Sequence, residues 1–396
     1  MTNDRALARH LFDVGVAAAD PYAAVTRAVS DVPKPVLIIS VGKAATRMAQ
    51  AAMAAFPAQC IIVTNYENAT PVSGAQVFAA GHPVPDLAGA KAAQAVIAAL
   101  GQATGPVLVL ISGGGSALLP APAGLLTLAD KAALNKVLLA SGLSIGKMNL
   151  VRQQVSDLKG GGMLRHCSHP VTALILSDVV GDDLSTIASG PTAPPLGTSA
   201  QAIAVLRNAG IWETVPVAVR SHLETASGPL ALPIAHNILV GSNSQSVAAM
   251  TSTQQDITAI QKPVEGDVSA AARLICDQAC PGITVWGGET TVQISGTGKG
   301  GRNQELALRI ACEAARRGWG NFACLVGGTD GRDGPVDAAG GVVDARTLTR
   351  VVAAGGDIDA LLANNDSYAA LGLAGDLLMT GATGTNVADL GVLIRR

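Results

Sequence analysis

The chain has 396 residues, more than one hydrophobic core usually supports, so we expect two domains. Hydrophobic residues make up 49% and charged residues 14%, a balance typical of buried parallel sheet and Ala-rich helices. The net charge of -2 and the lack of a basic cluster argue against a nucleic-acid partner. We see no apolar stretch long enough to span a membrane and no signal-peptide pattern, and the six scattered cysteines indicate reduced thiols in a cytoplasmic protein.

The first half of the chain alternates short β-branched runs with Ala- and Leu-rich helical patterns. This alternation predicts βαβ units around a buried parallel sheet, with strands at 36–41, 60–64, 107–111 and 171–176. Small or polar residues follow each strand. Because ligands bind outside the carboxyl ends of strands in such sheets, we expect the four following loops to share one edge.

A helical region is predicted between the third and fourth strands. Thr127 to Asp130 reads as a capping box that opens a helix running to about Ala140, with Gly142 as its stop. The next pattern, residues 147–158, places polar side chains on one stripe, namely those of Asn149, Arg152, Ser156 and Lys159. Such a stripe fits a substrate-binding surface, and a solvated helix face would give the same pattern.

The segment from Ser112 to Ser116 is the strongest candidate for a phosphate-binding loop. Gly113, Gly114 and Gly115 follow an apolar strand, so backbone N–H groups could converge on an anion with no Cβ in the way. Lys43 ends another strand, where its ammonium suits a polyphosphate. Neither Gly42-Lys43 nor Gly146-Lys147 is part of a Walker A motif, because Ala and Met follow them instead of Ser or Thr.

Three carboxylates, those of Asp178, Asp182 and Asp183, follow the fourth predicted strand. Hard oxygen ligands of this kind hold Mg²⁺ while nucleotide phosphates complete its shell. One of them could instead take a proton from a substrate hydroxyl, and helix capping or turn chemistry accounts for such residues equally simply.

A region rich in Pro, Gly and small residues places the domain boundary near residue 235, giving domains of 1–235 and 236–396. The second domain has strands predicted at 238–240, 283–286, 291–294 and 323–326, and helices near 303–316 and 366–373. Glycines 296, 298 and 301 formally match a dinucleotide fingerprint, but the preceding strand alternates polar and apolar residues. A flexible glycine loop that delivers Lys299 and Arg302 to a phosphate explains the segment better.

Several further loops are rich in glycine and polar residues. One carries Glu289 after a predicted strand, another carries Asp330, and two more lie at 364–367 and 380–389. Because only 14% of the residues are charged, such clusters are hard to explain without one shared polar site.

Eight motifs carry a specific family resemblance. They are VGKAA at 41, ISGGGSALLPAP at 111, LKGGGMLRH at 158, LSDVVGDDLSTIASGPT at 176, GGETTVQISGTGKGGRNQELAL at 287, GGTDGRDGPVDAAGG at 327, NNDSYAAL at 364 and TGATGTNVADL at 380. With these motifs the whole chain resembles the glycerate 2-kinase family, whose C-terminal half is called the MOFRL domain. Members of that family have often been labelled hydroxypyruvate reductases.

The resemblance implies an α/β fold with a Rossmann-like parallel-sheet N-terminal domain, a smaller α/β C-terminal domain and an active site in the cleft between them. It implies ATP, Mg²⁺ or another divalent cation, and D-glycerate, with 2-phosphoglycerate as product. It also implies that Lys43 and Arg302 lie at the reactive phosphate. A homodimer is compatible with this reading.

The expected mechanism assigns a role to each candidate residue. The loop 112–116 cradles phosphates, while Lys43 and Arg302 neutralise charge on the transferring phosphoryl group. Asp178, with Asp182 or Asp183, organises Mg²⁺ and is the candidate catalytic carboxylate. Arg152 grips the substrate carboxylate beside Asn149 and Lys159. We further expect nucleotide contacts from Gly190, Glu289 and Asp330.

Two other functions compete with the kinase. An NAD(P)H-dependent hydroxypyruvate reductase would use the 296–301 loop for its dinucleotide, with His82 as proton donor. A non-enzymatic sensor of sugar acids or nucleotides would have no need for three aspartates beside a glycine loop.

Overall fold

The computed structural model describes residues 3–225 and 232–396, which form two compact units. The first unit contains residues 21–177 and 182–240, and the second contains the residues up to Asp20, residues 178–181 and residues 241–396. These units differ from the predicted domains of 1–235 and 236–396 at both ends. The N-terminal helix belongs to the second unit, and the strand after residue 235 belongs to the first.

Within the described residues the helices are α1 (Asn3–Ala18), α2 (Pro21–Ala28), α3 (Ala45–Ala55), α4 (Leu87–Gln102), α5 (Gly115–Leu118), α6 (Leu128–Ala140), α7 (Ile145–Gln154), α8 (Ser199–Asn208), α9 (Val217–Thr225), α10 (Asn243–Thr251), α11 (Val268–Gln278), α12 (Arg302–Arg316), α13 (Thr347–Ala353), α14 (Ile358–Ala363) and α15 (Ser367–Ala374). In this part of the chain no helix is long and apolar enough to cross a membrane.

The strands of the same residues are β1 (Leu37–Val41), β2 (Gln59–Asn65), β3 (Ala75–Ala80), β4 (Val107–Ile111), β5 (Val171–Leu176), β6 (His236–Gly241), β7 (Ile257–Ala259), β8 (Val264–Asp267), β9 (Gly282–Thr291), β10 (Phe322–Gly328), β11 (Gly340–Asp344), β12 (Leu377–Leu378) and β13 (Asp389–Arg395).

The first unit is built on a six-stranded sheet in the order β3-β2-β1-β4-β5-β6. Strands β1 to β5 pair in parallel, and β1, β4 and β5 are buried along their whole length. The four strands predicted from continuous apolar runs are therefore confirmed. β3 escaped prediction because its residues are only partly buried and its sequence lacks such a run.

The helical part of the first unit confirms one prediction and corrects another. α6 begins at a complete capping box formed by Thr127 and Asp130, and Gly142 follows its end at a φ of 69°. α7 ends at Gln154, so the predicted helix to residue 158 is wrong. The chain turns there because the backbone N–H of Asp157 donates to Ala121 at 3.0 Å and Ser156 bridges to Pro122. Ser156 and Lys159 therefore do not share a helix face with Arg152.

The second unit contains a sheet in the order β12-β11-β10-β13-β9-β7, whose central strands are antiparallel. α1 packs on this sheet, burying Leu11 and Phe12 in a cluster with residues such as Val285 and Leu325. That packing places the first helix of the chain in the core of the second unit.

β9 is longer than its sequence indicates. The predicted end at residues 287–289 and the separate strand at 291–294 are both wrong, because β9 continues to Thr291. The reason is pairing with two strands, since Gly287 and Gly288 lie opposite residues 390 and 389 of β13, and residues 288–291 pair in parallel with β8. Gly287 is required there, since an added Cβ would approach the Asn243 side chain to 1.9 Å.

Candidate active site

Two loops at the carboxyl ends of β1 and β4 are joined backbone to backbone. The N–H of Lys43 donates to the carbonyl of Gly113 at 2.9 Å, and the N–H of Ala44 donates to the hydroxyl of Ser112 at 3.1 Å. Gly42 has a φ of 124° and leaves no room for a Cβ against Ser112. The exposed Lys43 side chain therefore emerges beside the glycine loop.

The loop after β2 lies at the same edge. The amide of Asn68 donates to the carbonyl of Lys43 at 3.1 Å and to the side chain of Asn65 at 2.8 Å. Of the four loops that the sequence predicts at one edge, those after β1, β2 and β4 are joined by hydrogen bonds, so the prediction is confirmed for these three.

Gly114 adopts a left-handed backbone conformation within the loop. Its φ is 86°, and an added Cβ would lie 3.1 Å from the His82 ring and 3.2 Å from the Cγ of Lys43. Burial and the nearby Lys43 ammonium lower the pKa of His82. His82, considered in the sequence only as a reductase proton donor, thus lies next to the candidate phosphate loop.

A buried lysine supports the loop from the inside. The Nζ of Lys159 donates to the hydroxyl of Ser116 at 2.7 Å, and that hydroxyl lies 2.9 Å from the hydroxyl of Ser189. Burial, reinforced by the charge of Arg152, lowers the pKa of Lys159 to about 7. Gly190 contributes through its backbone, since its carbonyl accepts from the N–H of Gly161 at 2.8 Å.

Arg152 is held by neutral amides. One terminal nitrogen donates to Asn135 at 2.5 Å and the other to the buried Asn149 at 3.4 Å. Burial lowers the pKa of its guanidinium. Although the predicted helical stripe is wrong, Arg152 and Lys159 still lie close enough for their charges to interact.

The three predicted metal ligands do not all belong to the same compact unit. Residues 178–181 belong to the second unit, whereas Asp182 and Asp183 belong to the first. Both carboxylate oxygens of Asp183 accept hydrogen bonds within its own turn, from Ser185 and Thr186, and these bonds lower its pKa. Over residues 3–225 and 232–396, no group of three or more His, Cys, Asp or Glu side chains could hold a metal ion. Hydrogen bonding within its own turn, the structural alternative to metal binding, therefore explains the conformation of Asp183.

Arg302 begins α12 and is bound on two sides by carboxylates. Its Nε and Nη2 donate to Asp389 at 2.5 and 3.1 Å, and its Nη1 lies 3.0 Å from Glu289. Burial raises the pKa of Asp389 to about 6, although Arg302 and Asn303 stabilise its ionised form. Arg302 is thus part of a rigid ion-pair network. The expectation that a flexible loop delivers it is wrong.

Sequence reasoning missed Asp333, which caps α12. Its two carboxylate oxygens accept from the backbone N–H groups of Asn303 at 3.1 Å and Gln304 at 2.8 Å. Burial raises its pKa while these bonds oppose the shift. No local signal predicts this cap, because Asp333 lies about thirty positions after the helix start, whereas N-caps are normally local. Asp330 stabilises its own turn, because its carboxylate accepts a hydrogen bond from the backbone N–H of Arg332 at 2.9 Å.

The 296–301 loop is fixed by the segment 364–368. Asn365 accepts from the backbone of Ser295 at 2.8 Å and of Gly296 at 3.0 Å, Asn364 accepts from Thr297 at 3.0 Å, and Asp366 accepts from Lys299 at 3.1 Å. Cβ atoms at Gly296 and Gly298 would clash with the backbone of Asn364. These glycines accommodate another part of the same chain, and Asp333 occupies the helix start where a Rossmann fold would hold pyrophosphate.

Comparison with known proteins shows the family. The family described as "Domain of unknown function (DUF4147)" matches residues 7–224, and the MOFRL family matches residues 282–389. A D-glycerate 2-kinase of Thermotoga maritima is 39% identical over 377 residues, covering 90% of this chain and 89% of the relative. The chain belongs to the glycerate 2-kinase family.

Two further relatives are similar to this chain over nearly its whole length. The crystal structure of a glycerate kinase from Thermotoga maritima superposes with a TM-score of 0.92 at 35% identity, covering 99% of both chains. A protein of Agrobacterium vitis with the name "Putative hydroxypyruvate reductase" is 38% identical over 417 residues, covering 98% of this chain and 94% of its own. Relatives of this chain thus carry both names, and its α/β fold matches that of a solved glycerate kinase over nearly the whole length.

Proposed function

We propose that this protein transfers the γ-phosphoryl group of ATP to the 2-hydroxyl of D-glycerate. The observation that carries the proposal is the junction of Lys43 with the 112–116 loop, through the 2.9 Å bond to Gly113. The backbone of a lysine is thereby anchored beside a glycine loop, in a chain related to named glycerate 2-kinases. Phosphoryl transfer depends chiefly on positioning and on neutralising charge, which such a junction provides.

Arg302 supplies the second cation of the proposed mechanism. Asp389 and Glu289 engage three of its N–H groups, and a guanidinium has five, so it retains donors for a phosphate oxygen. Because these carboxylates fix the guanidinium plane, Arg302 loses little conformational entropy when it binds an anion. Glu289 then acts by orienting Arg302, in addition to the nucleotide contact expected of it.

For the acceptor, Arg152 and Lys159 are the proposed ligands of the glycerate carboxylate, with Asn149 orienting Arg152. Nucleotide contacts are proposed for Ser112, Ser116, Gly190 and Asp330. Mg²⁺, when bound, would neutralise charge on the phosphates. Asp178 and Asp182 are the candidates to hold it, and the carboxylate of Asp183 accepts hydrogen bonds within its own turn. A cytoplasmic location and a homodimer remain predictions.

The test is an assay with ATP, Mg²⁺ and D-glycerate, coupled to enolase so that only 2-phosphoglycerate gives a signal. We expect turnover that stops in EDTA and returns with added Mg²⁺. A parallel assay with NADH and hydroxypyruvate tests for the reductase activity that the name of one relative suggests. Oxidation of NADH without any phosphorylated product would overturn the kinase proposal.

A further inference from the structure

Three basic side chains of the first unit lie together without a carboxylate bound to any of them. The Nζ of Lys131 donates to the carbonyl of Pro120, Arg152 donates to Asn135 and Asn149, and Lys159 donates to Ser116. All of these partners, among the described residues, are neutral oxygens. We call Lys131, Arg152 and Lys159 the cation cluster.

The cations are linked through α6, because Asn135, which accepts from Arg152 at 2.5 Å, lies one helical turn after Lys131. The ammonium of Lys159 helps to lower the pKa of Lys131, and the guanidinium of Arg152 helps to lower the pKa of Lys159. Among the described residues, the carboxylate of Asp157 opposes the shift of Lys131. Collecting like charges in a buried place costs stability unless an anion compensates them, so the arrangement indicates a ligand.

Burial strengthens this argument. It lowers the pKa of Lys131 well below its usual value and the pKa of Lys159 to about 7. A lysine of this kind is partly neutral near neutral pH in the empty protein. An arriving anion would raise the pKa of Lys159 again, so binding would be accompanied by proton uptake above about pH 7.

One member of the cluster, Lys159, lines a cavity of about 480 Å³ together with Ser156, and this cavity is large enough for a three-carbon acid. The Pro120 carbonyl that accepts from Lys131 also accepts from Ser156, which places Lys131 beside the wall of the same cavity. On its other side Lys159 holds Ser116 of the candidate phosphate loop. A carboxylate bound to the cluster would therefore lie next to the residues proposed to bind the phosphoryl donor.

We propose that Lys131 completes, with Arg152 and Lys159, a site for the carboxylate of the hydroxy-acid acceptor. Lys131 is the new member, since neither its position in the sequence nor the family motifs assign it a role. A planar carboxylate suits the fork of Arg152, and the two ammonium groups add charge-assisted bonds from other directions. This inference rests on the proposed function for the identity of the acceptor.

The test compares Lys131→Met and Lys159→Met with Lys136→Met, an exposed lysine of the same helix as Lys131. Calorimetric titration of the full chain with D-glycerate at pH 8, in two buffers of different ionisation enthalpy, measures affinity and proton uptake. We expect the wild type and Lys136→Met to take up a proton on binding. Lys131→Met and Lys159→Met should bind roughly tenfold or more weakly, as for loss of a charged hydrogen bond, and Lys159→Met should lose most of the proton uptake.

Steady-state kinetics separates the possible ligands. Both cluster variants should raise the KM for D-glycerate, and this rise should vanish with the methyl ester of glycerate. Lys131→Met should leave the KM for ATP unchanged, and it is the variant that separates the two ligands because Lys159→Met also loses the bond to Ser116 of the phosphate loop. Weaker ATP binding with unaltered glycerate binding would assign the cluster to nucleotide phosphates and overturn the inference. So would cluster variants that behave as Lys136→Met does.

Two controls keep the outcomes distinct. Removing a buried cation relieves repulsion, so the thermal midpoint of Lys131→Met and Lys159→Met should be unchanged or higher, which excludes misfolding as the cause. If D-glycerate binds with proton uptake but is never phosphorylated, the proposed kinase function fails while the carboxylate site stands. If turnover occurs and the cluster variants keep a normal KM, only the cluster inference fails.

Discussion

Some residues proposed to act in catalysis also form interactions that stabilise the fold, and Arg302 is the clearest example. Its guanidinium pairs with Asp389, whose side chain is 9% exposed, while Arg302 itself is 35% exposed. A cation expected from sequence to occupy a solvated loop therefore neutralises a buried carboxylate. Removing the guanidinium would therefore leave a buried carboxylate without its cationic partner.

We predict that Arg302→Ala lowers the free energy of unfolding by about 2 to 3 kcal/mol. Breaking a buried pair typically costs roughly 3 to 5 kcal/mol, and the partial exposure of Arg302 reduces that loss. Chemical denaturation of Arg302→Ala and of the exposed neighbour Lys299→Ala measures the difference. Equal stability of the two variants would show that Asp389 does not depend on Arg302.

Gly114 gives a second prediction at this scale. Gly114→Ala should raise the KM for ATP about tenfold while changing the KM for D-glycerate little, because its Cβ would meet His82 and Lys43. Gly142→Ala is the matched control, since Gly142 also has a positive φ, 69°, but nothing within 4 Å of an added Cβ. Both variants pay the left-handed backbone cost of roughly 1 to 2 kcal/mol. A similar change in both KM values for Gly114→Ala would count against a phosphate role.

At the scale of elements, the segment 364–368 determines the shape of the 296–301 loop. Side-chain oxygens of Asn364, Asn365 and Asp366 accept from successive backbone N–H groups of that loop. The loop precedes α12, so its conformation determines where Arg302 begins the helix. This dependence explains why a glycine-rich stretch need not be flexible.

We predict that Asn365→Gly increases hydrogen exchange at the backbone N–H groups of Ser295 and Gly296, both of which bond to Asn365. Glycine is the informative substitution because Asn365 has a φ of 53°, which glycine adopts without strain. The change removes only the side chain, so unfolding should be easier by roughly 1 to 3 kcal/mol. Unaltered exchange at 295–296 would mean that these bonds do not order the loop.

At the scale of the whole molecule, the two proposed cations belong to different compact units, Lys43 to the first and Arg302 to the second. If both act on the same phosphoryl group, their contributions to kcat must be coupled. The exposed Lys43 carries no structural ion pair among the described residues, so Lys43→Ala should lower kcat by roughly 10³ with an unchanged thermal midpoint.

We therefore predict non-additive losses in a double-mutant cycle of Lys43→Ala and Arg302→Lys. The lysine keeps a positive charge against Asp389 but cannot reproduce the planar grip of a guanidinium. The double variant should lose much less activity than the product of the two single losses. Strictly multiplicative losses in kcat would assign the two residues to separate steps.

The sequence by itself determined the parallel sheet of the first unit, the capped start of α6 and the family. Continuous apolar runs specify buried strands locally, and a capping box is complete within four residues. The glycine loop and Lys43 were also identifiable, because both directly follow strands whose ends share one edge.

Only the tertiary structure decided which polar groups form hydrogen bonds and ion pairs with one another. Asp333 and Asp389 meet α12 from positions 30 and 86 residues beyond Asn303, and α1 joins the core of the second unit across more than 200 residues of intervening chain. The end of α7, the extension of β9 along β13 and β8, and the position of Lys131 near Ser156 follow from such contacts too. Sequence patterns report local periodicity, whereas these features depend on partners that only folding brings within bonding distance.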